Sequence, residues 1–137
     1  TYYFDAGNKE ESFWIEYQSK FKRVLESGHA CEFETSSMMA INEELVNLNK
    51  VNPEETKAKR RLNHISNSYL YTGISWYSDY PNQIAGDPSN ASVERGKYIN
   101  NYTINKLLKA IRSVKEDDKS IELLNEYYNK HNNPEGF

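Results

Sequence analysis

Gly28-His29-Ala30-Cys31-Glu32-Phe33-Glu34-Thr35-Ser36-Ser37-Met38-Met39 is the stretch from which the rest of the chain is read. It is the densest polar cluster in the sequence, and it lies where a loop turns into a helix. Phe33 opens an apolar periodicity that continues through Met38, Ile41 and Leu45, which predicts a helix over 33–45. A helix start presents unpaired N–H groups and partial positive charge. That field disfavours an imidazolium, so His29 is expected to stay neutral and able to accept a proton. Glu32 and Glu34 are placed to orient its ring or to offset the charge it gains. Taken alone, a loop histidine is more often a capping or packing residue than a catalytic one. Cys31 invites a nucleophile reading, because a helix N-terminus can activate a thiol; a small residue packed beneath the loop is the better-supported one. His29 with Glu32 or Glu34 matches no metal-binding spacing of the HExxH type, and the glycines form no phosphate-binding loop.

Upstream, Tyr2, Tyr3 and Phe4 form a short apolar run closed by the turn cluster Asp5-Ala6-Gly7-Asn8, which predicts a buried strand. Phe13, Tyr17, Phe21 and Val24 then recur at helical spacing, predicting a helix over 9–26 that Ser27-Gly28 stops. Downstream, Val46, Leu48 and Val51 alternate with polar residues and predict a strand. The stretch 63–87 is rich in Asn, Ser, Tyr, Gly and Pro and reads as a long ordered loop, with one strand at 71–76. Trp76, Tyr77 and Tyr80 in it are placed to wall a pocket or to form a subunit contact. A helix is expected to start at Asp87-Pro88 or a few residues later near Ser92, with Ile104, Leu107, Leu108, Ile111 and Val114 on its apolar face. Gly96 inside it implies close backbone packing. A last helix is predicted over 119–130, followed by a polar tail, 131–137. His64 and His131 stand in polar surroundings and read as solvated.

The chain has 137 residues with 17 basic and 20 acidic side chains, for a net charge of −3. That size fits one domain or part of a larger one. The balance lacks the cationic field that nucleic acid or an anionic membrane surface needs, so neither is expected as a partner. No apolar run approaches the roughly 18 residues of a membrane span, and a single cysteine excludes an internal disulfide. A cytoplasmic location follows as the expectation. The hydrophobic share is 37% and the mean hydropathy −0.89. An average chain is roughly 45–50% apolar. Together with a first residue that is Thr1, this leads to the expectation of a processed or truncated polypeptide that borrows core from another segment.

The opening stretch resembles the G-H-A-G-E-x-E-T-S-x-M-L segment of the creatininase (creatinine amidohydrolase) family. Glu44-Leu45-Val46 resembles that family's end-of-helix pattern. Trp76, Pro81, Ile84, Gly86-Asp87-Pro88, Ala91, Glu94 and Gly96 resemble its W…P-x-G-V-x-G-D-P-x-x-A-T-x-E-K-G stretch. The two motifs occur in the family's order and span roughly 28–96. The resemblance implies an α/β fold, a layered α/β/α arrangement with a mostly parallel sheet, of which this chain carries the helix-rich C-terminal portion. It implies a homo-oligomer, and a metal-dependent amidohydrolase acting on a small non-peptide or cyclic amide. Two divalent ions, zinc or manganese, activate water in that family, while a histidine handles the proton on the departing nitrogen.

By position, His29 is that histidine, and Glu34 is given a supporting catalytic role. Glu26 and Trp76 are assigned to substrate. The family's metal ligands come from an E-x-H…D segment and an N-G-H-G-G-N-like segment, neither of which occurs here, so no metal ligand is assigned in 1–137. The expected partner for metal binding is a missing N-terminal segment. In creatinine-cleaving members the third and fourth positions before the histidine are aspartate and tryptophan; here they are Glu26 and Leu25, which argues against creatinine as substrate. The alternative expectation is a truncated or diverged half that serves as an oligomerising, structural module without catalysis.

Overall fold

The computed structural model describes residues 2–5, 11–21 and 28–133. Six α-helices are found among them: α1 (Glu11–Phe21), α2 (Glu32–Ile41), α3 (Asn63–Ser66), α4 (Ser75–Asp79), α5 (Val93–Lys115) and α6 (Lys119–Asn132). Three 3₁₀ turns, Glu43–Leu45, Leu48–Lys50 and Pro53–Glu55, join α2 to the central loop region.

The centre is the crossing of α2 on the first half of α5, with α1 laid against both. Phe13 and Tyr17, one turn apart on α1, are buried beside Ile99 of α5, and Trp14, Phe21, Phe33, Tyr98 and Tyr102 close around them. The Phe13 and Tyr102 rings lie 4.3 Å apart and those of Tyr17 and Phe21 4.8 Å apart, so this core is built from aromatic faces and edges rather than branched aliphatics. Three of the eleven tyrosines, Tyr17, Tyr98 and Tyr102, lie in it, while Tyr2, Tyr3, Tyr69, Tyr71, Tyr77, Tyr127 and Tyr128 are exposed. A buried tyrosine must place its hydroxyl, and Tyr17 donates to Glu32 Oε1 at 3.2 Å. Burial pushes that hydroxyl's pKa up, against the opposing hydrogen bond of Arg95. Glu32 is itself buried and pairs with Arg95 at 2.6 Å, while the guanidinium lies 4.8 Å from the centre of the Phe21 ring. Burial and the neighbouring Glu16 carboxylate hold the Tyr98 hydroxyl up at about 12.

The helix crossing is close because one helix has no side chain at the contact. A Cβ on Gly96 would stand 1.8 Å from the Ser36 carbonyl oxygen and 2.8 Å from Ala40 Cβ. Ser36, fully buried, accepts the Ser92 N–H at 3.1 Å, and Asn100 Nδ2 donates to the Ser37 carbonyl at 3.1 Å. Ser92 is the N-cap of α5, its hydroxyl accepting from the Arg95 N–H, so the later of the two expected starts is the one taken. Asp87 and Pro88 instead belong to the turn before it, in which the Ala91 N–H donates to the Pro88 carbonyl at 2.9 Å.

The expected strands are not found, and no strand occurs among the described residues. Residues 2–4 are extended but unpaired with any strand; Tyr3 is 91% exposed, and the Tyr2 hydroxyl donates to the Asp117 carboxylate. In 46–51 the Lys50 and Val51 amides donate to the Asn47 and Leu48 carbonyls, both at 3.1 Å, closing a 3₁₀ turn. In 71–76 the Ser75 amide donates to the Thr72 carbonyl at 2.8 Å, and the chain enters α4. The physical reason is common to the last two. A strand needs a neighbour to take its N–H and C=O groups, and without one these segments satisfy them locally. The helix expected over 33–45 ends at Ile41, where Asn42 accepts the Glu44 N–H and starts a new turn. The start and end of the helix expected over 9–26 fall on residues 9–10 and 22–26, outside the described residues, as do 134–137 of the expected tail. The last helix runs through Asn132.

The apolar stripe of the second half of α5 is exposed. Ile104 lies about 140° around the helix from Ile99, so Ile104, Leu107, Leu108, Ile111 and Val114 face away from the aromatic core and stay 39 to 52% exposed. No helix among the described residues is long and apolar enough to cross a membrane.

Candidate functional site

His29 is held by its backbone. Its carbonyl accepts the Ala85 N–H at 2.8 Å, and the Asp87 carbonyl accepts the Glu32 N–H, at the start of α2, at 3.2 Å. The segments 28–32 and 85–87 thus run side by side. They approach so closely that a Cβ on Gly28 would stand 1.9 Å from the Ala85 carbonyl oxygen. Gly28 is therefore required by proximity, and not by the left-handed cap expected of it.

Ala30 takes the left-handed conformation, with φ 54°, which costs an L-residue roughly 1–2 kcal/mol. Both of its backbone groups are gripped by side chains of α2. Its N–H donates to Glu34 Oε2 at 2.6 Å, and its carbonyl accepts from Thr35 Oγ1 at 3.0 Å. Cys31, the N-cap residue, is 4% exposed and makes no side-chain cap, so capping falls to Glu34 reaching back from the first turn. The sharp reversal at Ala30 turns the His29 side chain back over that same carboxylate.

The structure brings His29, Glu34 and Trp76 together. His29 Nδ1 lies 3.5 Å from Glu34 Oε2, with both side chains more than half exposed. The imidazole meets Trp76 edge to face at 5.8 Å and 80°. Trp76 is fixed in turn: its indole N–H donates to Gln83 Oε1 at 2.9 Å, and its ring packs on Tyr80 at 4.7 Å. Behind it Arg61 clamps α4, donating to the Ser78 and Tyr77 carbonyls, both at 2.6 Å. With Nδ1 turned to the carboxylate, Nε2 is the nitrogen available for proton transfer.

Glu26 falls on residues outside the described ones. Glu32, expected beside the imidazole, is turned into the core and committed to Arg95 and Tyr17. Its correction follows from spacing: two residues from Glu34 on a helix, it lies on another face. Tyr77 stacks with Arg61 at 5.3 Å and does not join the Trp76 wall. His64 and His131 are exposed, and His131 stacks on Tyr127 at 6.1 Å. Among the described residues no three His, Cys, Asp or Glu side chains are grouped so as to hold a metal ion. Sequence reasoning missed Gln83 and Arg61, which position the indole from the loop; nothing in their local sequence marks them.

Three comparisons bear on this arrangement. The family model described as Creatininase: Creatinine amidohydrolase matches residues 4–111. A crystal structure from Bacteroides fragilis NCTC 9343, described as that of a creatinine amidohydrolase, shares the fold with a TM-score of 0.54 at 20% identity. The match covers 82% of this chain and 51% of that one, so the chain spans about half the length of the solved relative. No curated protein matches the sequence.

Proposed function

The chain belongs to the creatininase family, and from that premise we propose that it supplies the proton-handling part of an amidohydrolase centre acting on a small non-peptide or cyclic amide. The observation that carries this is the meeting of His29, Glu34 and Trp76, drawn from the two sequence motifs that carry the family resemblance. In such a hydrolysis water adds to the amide carbon, the C–N bond breaks, and the nitrogen leaves with a proton. His29 Nε2 is the group proposed to take that proton from the attacking water and to deliver it to nitrogen, while Glu34 balances the imidazolium in between. Trp76 limits ring rotation and walls one side of the substrate, and Glu26 is proposed as a further substrate contact.

Family membership implies zinc or manganese. The described residues do not fit a metal pair, so the role proposed for them is confined to proton transfer and substrate contact. A homo-oligomeric assembly is proposed with it.

The test is amide hydrolysis by the whole protein, with Zn²⁺ or Mn²⁺ supplied. His29→Ala is expected to lower kcat by about 10²–10⁴-fold while KM changes little. Unchanged turnover in that variant would sink the assignment. A second reading, an assembly module without catalysis, is favoured by the exposed apolar stripe of α5. It predicts no turnover in the wild type either, with association lost on Ile111→Lys.

A further inference from the structure

Beside Glu34, on the face of α2 that carries Met38, the chain forms an open groove of about 350 Å³. Leu45, Leu48 and Val51 of the 3₁₀ region form one wall and Ile84, just before the Ala85 anchor, lies on the other. The lining is mostly hydrocarbon, with Thr35 and Asn47 as neutral polar members and Glu34 as its one charged group. Ligand pockets generally run from about 300 to 1,000 Å³, so this one has room for a small molecule and no more. Ala30 and Glu34 belong both to the groove and to the His29 site, which makes the two continuous. Glu34 spends Oε2 on the Ala30 N–H and on facing His29, and among the described residues its Oε1 has no hydrogen-bond partner.

We infer that the groove binds the hydrocarbon group carried by the substrate's nitrogen, so that the preferred substrate is an N-alkyl amide whose leaving group is an alkylamine. This rests on the amidohydrolase reading above. An N–H on that nitrogen donates to Glu34 Oε1, the alkyl chain lies along Met38 and Leu48, and the nitrogen stays beside the imidazole that protonates it. Charge complementarity favours the same occupant after cleavage, because the released alkylammonium carries a cationic head for the carboxylate and an apolar tail for the groove. A polar amide such as a simple carboxamide leaves the groove unused.

Straight-chain alkylamines from ethylamine to hexylamine serve as the probes, titrated into the protein carrying methyl-labelled methionine. Met38 lines the groove and Met39 does not, so the two methyl signals report site and background. The Kd is expected to tighten about fourfold for each added methylene until the groove is full, with the Met38 signal moving and the Met39 signal unmoved. Glu34→Gln should weaken every amine by a common factor and leave the dependence on chain length intact. Met38→Gln and Leu45→Gln, both at exposed positions that the fold tolerates, should flatten that dependence.

Absence of chain-length dependence, or its survival in both groove variants, would overturn the inference. A wild type that hydrolyses other amides with Zn²⁺ or Mn²⁺ but no N-alkyl amide would overturn the inference and keep the amidohydrolase reading, whereas one that hydrolyses no amide of any kind would overturn that reading. His29→Ala separates the two in one protein: alkylamine binding is retained, and hydrolysis is lost.

Discussion

At Ala30 a non-glycine residue sits at φ 54°, and the side chain that compensates is also the one that faces the imidazole. Glu34 therefore carries two duties, and a single substitution distinguishes them. Glu34→Gln keeps a carbonyl oxygen for the Ala30 N–H but cannot offset an imidazolium. Its stability against urea is expected within about 0.5 kcal/mol of the wild type, while kcat is expected to fall. Glu34→Ala loses the cap as well, costing about 1 kcal/mol. Equal stability loss in the two variants would mean that the carboxylate charge, and not the hydrogen bond, holds the turn. The order of motifs alone singled out His29, Glu34 and Trp76, three side chains that the fold brings together. What sequence could not give was their geometry: the left-handed Ala30 and the Gln83 and Arg61 supports of Trp76 depend on contacts from distant segments.

At the scale of the element, the longer helices α1, α2, α5 and α6 were legible, whereas the short α3 and α4 inside the expected loop 63–87 were not, and the expected strands are not found among the described residues. Helical spacing is a local property, and the hydrogen bonds it predicts close within the segment. The alternation at 46–51 and 71–76 states only that one side of a strand would be apolar; whether a strand forms depends on a partner. Gly96 was readable as a packing glycine, and the α2–α5 crossing explains it. Gly96→Ala sets a methyl group against the Ser36 backbone, which no side-chain rotamer can relieve. The helices must separate, at a cost of about 3 kcal/mol or more, read as a lower urea midpoint, and Ser36→Ala should not rescue it because the clash is with a carbonyl.

α6 offers a second test at this scale, through pH. Asp117 accepts from the Lys119 and Ser120 amides at 3.0 and 3.1 Å and so caps the helix. Hydrogen bonding from Ser120 first, and then from the Tyr2 hydroxyl, lowers its pKa from 3.8 to about 2. A carboxylate whose folded pKa is depressed stabilises fully above its unfolded value and loses that contribution as pH falls through the folded one. The Asp117 contribution to α6 should thus be constant from neutral pH down to about 4 and disappear between there and about 2. Glu126 of the same helix, its pKa lowered by the hydrogen bond and charge of Lys130, also titrates in acid, so the measurement is a difference. Helix content of wild type minus Asp117→Asn, by far-ultraviolet circular dichroism, should shrink to zero across that window.

For the whole molecule, the distribution of burial divides the chain into two parts of unequal stability. The aromatic cluster, the Glu32–Arg95 pair and the Gly96 crossing tie α1, α2 and the first half of α5 into one unit. Beyond Tyr102 this support ends. Ile111 and Val114 on α5 and Ile121, Leu124 and Tyr128 on α6 are each at least 40% exposed, and α6 packs closely on no other helix among the described residues. Composition foretold this without saying where, for a chain 37% hydrophobic that gathers its buried aromatics in one cluster has little left to cover a second. Its surface ion pairs add only about 0.3–0.5 kcal/mol each, and a 14-residue helix without tertiary support is marginal in water, where isolated helices need about 12–15 residues or more. Native-state hydrogen exchange should therefore be graded along the chain. Amides of α2 and of α5 up to Asn100 should exchange only with global unfolding, whereas those of α6 should exchange through local opening at least a hundredfold faster, equivalent to about 2.7 kcal/mol. Assembly that covers the α5 and α6 stripe would slow the α6 amides with rising protein concentration and leave α2 unchanged. Uniform protection at every concentration would show instead that α6 draws its stability from within the chain.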